Sequence, residues 1–319
     1  MREPNTQIRP LLSVAITSWN SSDLVRLQQA CEELAQKYPG ISIETAPATL
    51  QSIVRGMDES HLKSICDEIL KRELDIDVGE PKVIYLETIR RSVESEGKYI
   101  RQTGGYGNYG HVKIRLEPSE RGEGFKFIDA IKDGVIPKEF ISSIEQGIRE
   151  ALLKGVVGHE MVDLKVTLYD GSYHDVDSNQ MAFKMAGAMA FKEAAKKASP
   201  VLLEPLMALE VSVPEKRNYA ISGYINSRRG RILDKEHSAG LEVFRAIVPL
   251  AEVLGDSKHL DSLGAVDCSM RFIQYMEKPF GEEPGDYGAG VIANKPTGPT
   301  PKRGFAAADP ESDWEIPDK

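Results

Sequence analysis

The sequence has no phosphate-binding loop. No Gly-x-x-x-x-Gly-Lys-Ser/Thr run occurs in its 319 residues, and Gly97-Lys98 is followed by Tyr99 without the upstream glycine. A cradle for a nucleoside triphosphate is therefore not expected. No His-x-x-x-His pair occurs among His61, His111, His159, His174, His237 and His259, and none of the three cysteines has a second Cys or a His at zinc spacing. A metal site is not expected either. Cys31, Cys66 and Cys268 are odd in number and far apart, which reads as buried, reduced thiols of a cytoplasmic protein. There is no Gly-x-Ser-x-Gly elbow. No apolar run reaches the ~18 residues of a membrane span, and Met1-Arg2-Glu3-Pro4-Asn5 lacks the apolar core of a signal peptide. Basic residues are also short: 40 Lys and Arg face 49 Asp and Glu, a net charge of −9. That balance argues against a nucleic-acid binder as a whole. Residues 281–319 alone hold eight acids and four bases, so a local basic patch on the remaining body stays open.

A hydrophobic content of 41% and a charged content of 28% suit a globular chain, and the length allows two or three domains. Residues 1–10 are polar and are expected to be loose. Leu11–Ile16 reads as a buried strand. Ser21 or Ser22 can cap a helix whose apolar face is Leu24, Leu27, Cys31, Leu34 and Tyr38. Pro39-Gly40 stops it. Two short strands follow, 41–45 and 50–55. Gly56-Met57-Asp58 leads into a helix burying Leu62, Ile65, Cys66, Ile69 and Leu70, and 74–78 is a last strand. The order β-α-β-β-α-β over 11–79 is the ferredoxin-like pattern. Gly79-Glu80-Pro81 marks a boundary. The segment 80–202 opens β-rich from Val83 to Ile128. Pro137 then opens a helix with Phe140, Ile144, Ile148 and Leu152 on one side and Gly155 as its C-terminal cap. Val162–Leu168 alternates as a strand. Asp177 with Gln180 fits a capping box for a helix running to about Lys197. The segment 203–280 repeats β-α-β-β-α-β. From Gly281 to Lys319 proline and glycine dominate, and disorder is expected. The fold class is α+β: two ferredoxin-like units flank a β-rich α+β unit with protruding tip loops.

Three stretches could carry chemistry. In Gly104-Gly105-Tyr106-Gly107-Asn108-Tyr109-Gly110 the dinucleotide fingerprint Gly-x-Gly-x-x-Gly is present by spacing only. Alternating residues lie on both sides, so no helix follows to hold a pyrophosphate, and a hairpin tip fits better. Tyr106 could stack on a base and Asn108 could bond a base edge; for Tyr109, packing against its neighbouring strand is favoured. The second stretch is the polar loop Tyr169–Asp177. His174 there could donate to phosphate or ribose hydroxyls beside a helix N-terminus, while Asp177, and Asp175 with it, suits a turn or cap. The third is Arg228-Arg229-Gly230-Arg231, whose guanidinium groups could engage phosphates. Interaction with a helix C-terminus would account for one of these arginines.

Together these residues resemble the C-terminal half of bacterial elongation factor G. The match runs from about Leu11 to about Glu277. It rests on Leu86-Glu87-Thr88-Ile89-Arg90, on Gly104-Gly105 with Tyr109-Gly110-His111-Val112, and on Gly134-Val135-Ile136-Pro137. It continues through Gly171–Ser178, Ala182-Phe183-Lys184, Pro200–Pro205 and Arg228-Arg229-Gly230. The resemblance implies the family's third, fourth and fifth domains, with no counterpart of its GTP-binding and second domains. It implies that Gly104, Gly105, Tyr106, Gly107, Asn108, His174 and Asp175 approach transfer RNA and messenger RNA in the decoding region. It also implies that Arg228, Arg229 and Arg231 meet large-subunit ribosomal RNA. The expected partner is the ribosome, with a GTPase domain supplied in cis or in trans and no membrane. The chain itself is expected to be a monomer, cytoplasmic, without catalytic residues, metal or cofactor. GTP and Mg would enter only through the GTPase domain. The sequence departs from the family pattern at Tyr106 (commonly Arg), Asn108 (commonly Gln), Asp58 (commonly Gly) and Ser60 (commonly Leu). A ribosome-binding relative without translocase activity, acting in protection, rescue or regulation, is the alternative.

Overall fold

The computed structural model describes residues 9–38, 40–102, 107–132, 134–238 and 240–279. The expectations for residues 1–8, Pro39, Gly104, Gly105, Tyr106 and the stretch from 281 lie outside them. Three sheets, each backed by helices on one face, make up an α+β molecule, as the patterning predicts.

In the first unit, β1 (Leu12–Ser18) alternates buried and half-buried residues without a break, because period-two patterning puts one face of the strand in the core. Helix α1 (Ser21–Lys37) is capped by Asn20, whose side chain accepts from the Asp23 N–H, and not by Ser21 or Ser22. Strands β2 (Ser42–Ala46) and β3 (Gln51–Gly56) follow, then α2 (Glu59–Leu70) and β4 (Ile76–Val78). Asp58 caps α2 by accepting from the His61 N–H at 2.7 Å. Leu70, expected inside, is half exposed at the helix end. The sheet order is β2-β3-β1-β4, the ferredoxin-like arrangement.

The run from Val83 to Ile128 is β-rich, as expected, but its first two strands do not join the middle sheet. Strand β5 (Lys82–Val83) pairs with β1 of the first sheet, and β6 (Leu86–Ile89) pairs with β11 (Pro200–Pro214) of the third. The middle sheet is built from β7 (Val93–Gln102), β8 (Gly107–Pro118), β9 (Phe125–Asp129) and β10 (Leu164–Ser172), in the order β7-β8-β10-β9. Helices α3 (Lys138–Leu152) and α4 (Gln180–Lys197) cover one face. The buried positions of α4 are mostly alanine and glycine, together with Phe183 and Phe191, so its backbone lies close on the sheet. A Cβ on Gly110 would stand 2.6 Å from the Ala182 carbonyl oxygen. Phe183 stacks on Phe140 with ring centroids 4.8 Å apart.

The third unit consists of β11, α5 (Asn218–Ser227), β12 (Arg231–Ser238), β13 (Leu241–Pro249), two short helices α6 (Leu250–Val253) and α7 (Ser257–Ser262), and β14 (Asp267–Glu277). Its order, β12-β13-β11-β14, repeats that of the first unit. The apolar cores of the first and third units form one continuous cluster, and the middle unit has its own. Cys31 and Cys66 lie in the shared core; Cys268, read from sequence as buried, is exposed on β14, eight of whose 11 residues are exposed.

Polar ties fix the joints. The Glu277 carboxylate at the end of β14 accepts from both Arg90 and Arg121, and the Tyr275 hydroxyl donates to the Ile84 carbonyl at 3.0 Å. Glu87, fully buried on β6, accepts from the backbone N–H groups of Val156, Val157 and His159 at 2.7–3.0 Å. Those three donors satisfy a charge that would be costly to bury alone.

Candidate nucleic-acid interface

At the far end of the middle sheet, β7 and β8 pair up to Gln102 and Gly107. Gly107, Asn108, Tyr109 and Gly110 are therefore strand residues, not parts of a loop as the glycine spacing suggested. Their alternation was hidden by the glycines. On the neighbouring strand, β10 continues to Ser172. The second polar loop accordingly shrinks to Tyr173–Ser178.

These two segments are stitched together. Tyr109 N–H donates to the Asp177 carbonyl at 2.8 Å and Gly107 N–H to Asp177 Oδ1 at 2.9 Å. Ser178 Oγ donates to the Tyr109 carbonyl and accepts from the His174 N–H. The Tyr109 hydroxyl meets Ser172 Oγ at 2.8 Å, and Ser172 Oγ lies 2.9 Å from His111 Nδ1. Tyr109 is thus held by its neighbours, the role the sequence favoured for it. Asn108 is tied into the tip: Asn179 Nδ2 donates to Asn108 Oδ1 at 2.7 Å. Asn179 in turn caps α4, its Oδ1 accepting from the Ala182 N–H at 2.9 Å. The expected Asp177–Gln180 capping box does not form, because Asn179 stands one residue before the helix and the Asp177 carboxylate is turned toward Gly107.

Among the described residues of this loop, Tyr173, His174, Asp175 and Val176 face outward. His174 has 59% of its side chain exposed and its Nδ1 stands 3.6 Å from Asp177 Oδ2. Lys98 and Arg101 are exposed on the adjoining edge of β7. Behind the tip, the open face of the sheet carries paired charges: Lys113 with Asp170 at 2.8 Å, and Arg115 with Glu94 at 2.7 Å. The hydrogen bond from Lys113 holds the Asp170 carboxyl below its ordinary value.

The arginine cluster is not one patch. Arg229, in the left-handed region at φ 54° just past α5, turns inward and donates to both oxygens of Glu204 at 2.8 Å and to Glu252 at 2.9 Å. The hydrogen bonds it donates to Glu204 raise its pKa further, against the opposing effect of burial. Arg228 pairs with Asp256 at 2.7 Å and lies over the Tyr224 ring. Arg231 alone stays exposed on β12, with no ion pair among the described residues. Sequence reasoning missed Glu204, Asp256 and Asn179, the residues that absorb Arg229, Arg228 and Asn108. Asn179 had a signal, its position before an alanine-rich helix; the two acids had none.

No helix among the described residues is long and apolar enough to cross a membrane, and they contain no cluster of three or more metal-ligating side chains.

Comparison with known proteins gives three family models that match in succession: elongation factor G domain III over residues 9–80, domain IV over 81–199 and the elongation factor G C-terminus over 201–280. A crystal structure of a protein from Thermus thermophilus matches with 37% identity and a TM-score of 0.65, covering 88% of this chain and 42% of that one. The chain thus spans less than half the length of that relative. The tip and the inward arginine lie within the segments matched to domain IV and the C-terminus respectively, and the chain belongs to the elongation factor G family, whose domains III, IV and C-terminal domain it carries.

Proposed function

We propose that this chain is the ribosome-contacting part of an elongation-factor-G-like translation factor. Its middle unit reaches transfer RNA and messenger RNA in the decoding region, and its third unit meets large-subunit ribosomal RNA. The observation that carries this reading is the tip itself. Two segments from separate strands are cross-bonded into one stiff end that presents His174, on a ribbon ten residues long, or about 30 Å at the usual rise per residue. A stiff probe of that length suits a narrow RNA-lined site, since little entropy is lost when it enters. Movement of messenger RNA would need GTP hydrolysis from a segment in cis or in trans.

A second reading, a module that occupies the ribosome without driving movement, is favoured by the tip chemistry. Asn108 Oδ1 already accepts from Asn179, and no arginine stands at position 106. A toeprint of a pre-translocation complex separates the two. The chain alone is expected to bind without advancing the messenger. Adding the GTPase segment should advance it under the first reading and leave it in place under the second. Multiple-turnover movement by the chain alone would overturn both.

A further inference from the structure

A groove with a volume of about 1060 Å³ lies between the first and middle units. One wall is the first sheet. Ser13 and Arg55 line it there; they alternate with the core residues Leu12, Val14 and Val54 and so face away from α1 and α2. The other wall comes from α3, α4 and the residues just past α3, with Leu153, Lys154, Met185 and Lys192. Its charges are unevenly matched. Each acid that lines it among the described residues is already paired: Glu44 with Arg55 at 2.7 Å, Glu150 with Lys184 at 2.7 Å and Glu160 with Arg9 at 3.2 Å. His159, whose pKa is lowered by burial, adds no charge at neutral pH. Lys154 and Lys192 are exposed and make no ion pair among the described residues, which leaves the groove net positive. It also holds uncovered apolar surface. Leu153 is 61% exposed, and Met185 stands midway between the exposed Met181 and Met189 on one side of α4. Methionine adapts to irregular shapes and makes favourable contacts with aromatic rings. The groove therefore fits an acidic segment with an aromatic anchor.

This chain contains such a segment. Asp309-Pro310-Glu311-Ser312-Asp313-Trp314-Glu315-Ile316 has four acids and no base. From Glu311 onward the acids alternate with other residues. Laid out extended, it would turn Trp314 and Ile316 to one side and three carboxylates to the other. It is also within reach. Tyr275 lines the groove, Lys278 Nζ lies 5.7 Å from the centre of the Tyr85 ring, which lines it too, and the described residues end at Pro279. About 30 residues separate Pro279 from Asp309, and a chain of that length spans on the order of 30 Å even as a coil. Such a tether gives an effective concentration of about millimolar, so a weak contact suffices. We propose that residues 309–316 dock in this groove, with Trp314 against Leu153 and Met185 and the carboxylates on Lys154 and Lys192, and so staple the middle unit to the first.

The test uses the full chain carrying Trp19→Phe, which leaves Trp314 as its one indole. Trp19 is 42% exposed, so its replacement spares the core. Trp314 emission is expected to be blue-shifted and shielded from acrylamide, compared with a free peptide of residues 305–319. Lys154→Glu/Lys192→Glu, which changes only exposed side chains, should return both signals to those of the peptide without moving the unfolding midpoint. The same peptide added to a chain ending at Gly304 should bind, and the charge reversal should weaken that binding about tenfold, the scale of two exposed ion pairs. Trp314 as red and as quenchable in the full chain as in the peptide would overturn the docking. Shielding that survives both Lys154→Glu/Lys192→Glu and Met185→Glu would place the segment elsewhere and overturn the groove. Shielding that rises with protein concentration would make the occupant a second copy's segment and overturn the intramolecular staple. None of these readouts depends on ribosome binding.

Discussion

Arg229 reaches a glutamate whose side chain is only 3% exposed. Removing the guanidinium would strand that charge, and breaking a buried pair from one side costs about 3–5 kcal/mol. Arg229 is itself a quarter exposed, so Arg229→Ala is expected at or below the low end of that range, about 3 kcal/mol, read by urea unfolding. Arg231→Ala is expected to leave the unfolding midpoint unchanged and, if Arg231 meets a ribosomal phosphate, to reduce the salt slope of ribosome binding by about one. Equal midpoints for both variants would contradict the inward role of Arg229. The run Arg228-Arg229-Gly230-Arg231 was plain in the sequence. The direction of each side chain was not, because it depends on where the helix ends and on Glu204, 25 residues upstream along the chain. The partner of Asn108 was hidden for the same reason: it stands 71 residues away.

Every helix expected from apolar spacing is present, since that spacing is set by which face must be buried. The caps were harder. Asn20 lies beside Ser21 and Ser22, and Asn179 beside Asp177 and Ser178; all are capping types, and the sequence alone gives no means of choosing among neighbours. Strand ends were misread where glycine interrupted alternation, as at Gly107 and Gly110. The pairing of α1 with α2 has a pH consequence. Burial pushes the thiols of Cys31 and Cys66 up to about 11, from an ordinary 9.0. Above about pH 9 the unfolded chain releases these protons first, so the unfolded state binds fewer protons and stability falls. The contribution is complete below about pH 9 and is lost as pH rises to about 11. Unfolding midpoints measured from about pH 8 to about pH 11 should therefore drop more steeply in the parent than in Cys31→Ala/Cys66→Ala. Parallel curves would mean that these thiols do not titrate in that window.

Across the whole molecule, the repeated β-α-β-β-α-β order of the first and third units was legible from periodicity, and the sharing of strands between units was not. A four-residue strand such as β6 has no pattern that names its sheet. Its register, Ile89 opposite Pro200 and Leu86 opposite Leu203, makes β6 and β11 neighbouring antiparallel strands with the whole middle unit inserted between them. Replacing residues 90–199 by Asn-Gly, a favoured two-residue turn, is therefore expected to leave a folded protein built on the shared core of the first and third units. Backbone amide spectra of β11 and β14 would check this. Collapse of those signals would show that the middle unit is required for the other two to fold.

The same register has a mechanical meaning. A body hung from one strand can swivel about it; a body leaving through two paired strands cannot turn without breaking the ladder between them. Glu277, bound to Arg90 beside one strand and to Arg121 further out, braces this stem from the side. A push on His174 is expected to reach the third unit as bending more than as twist, with Ile89 and Pro200 as the fulcrum.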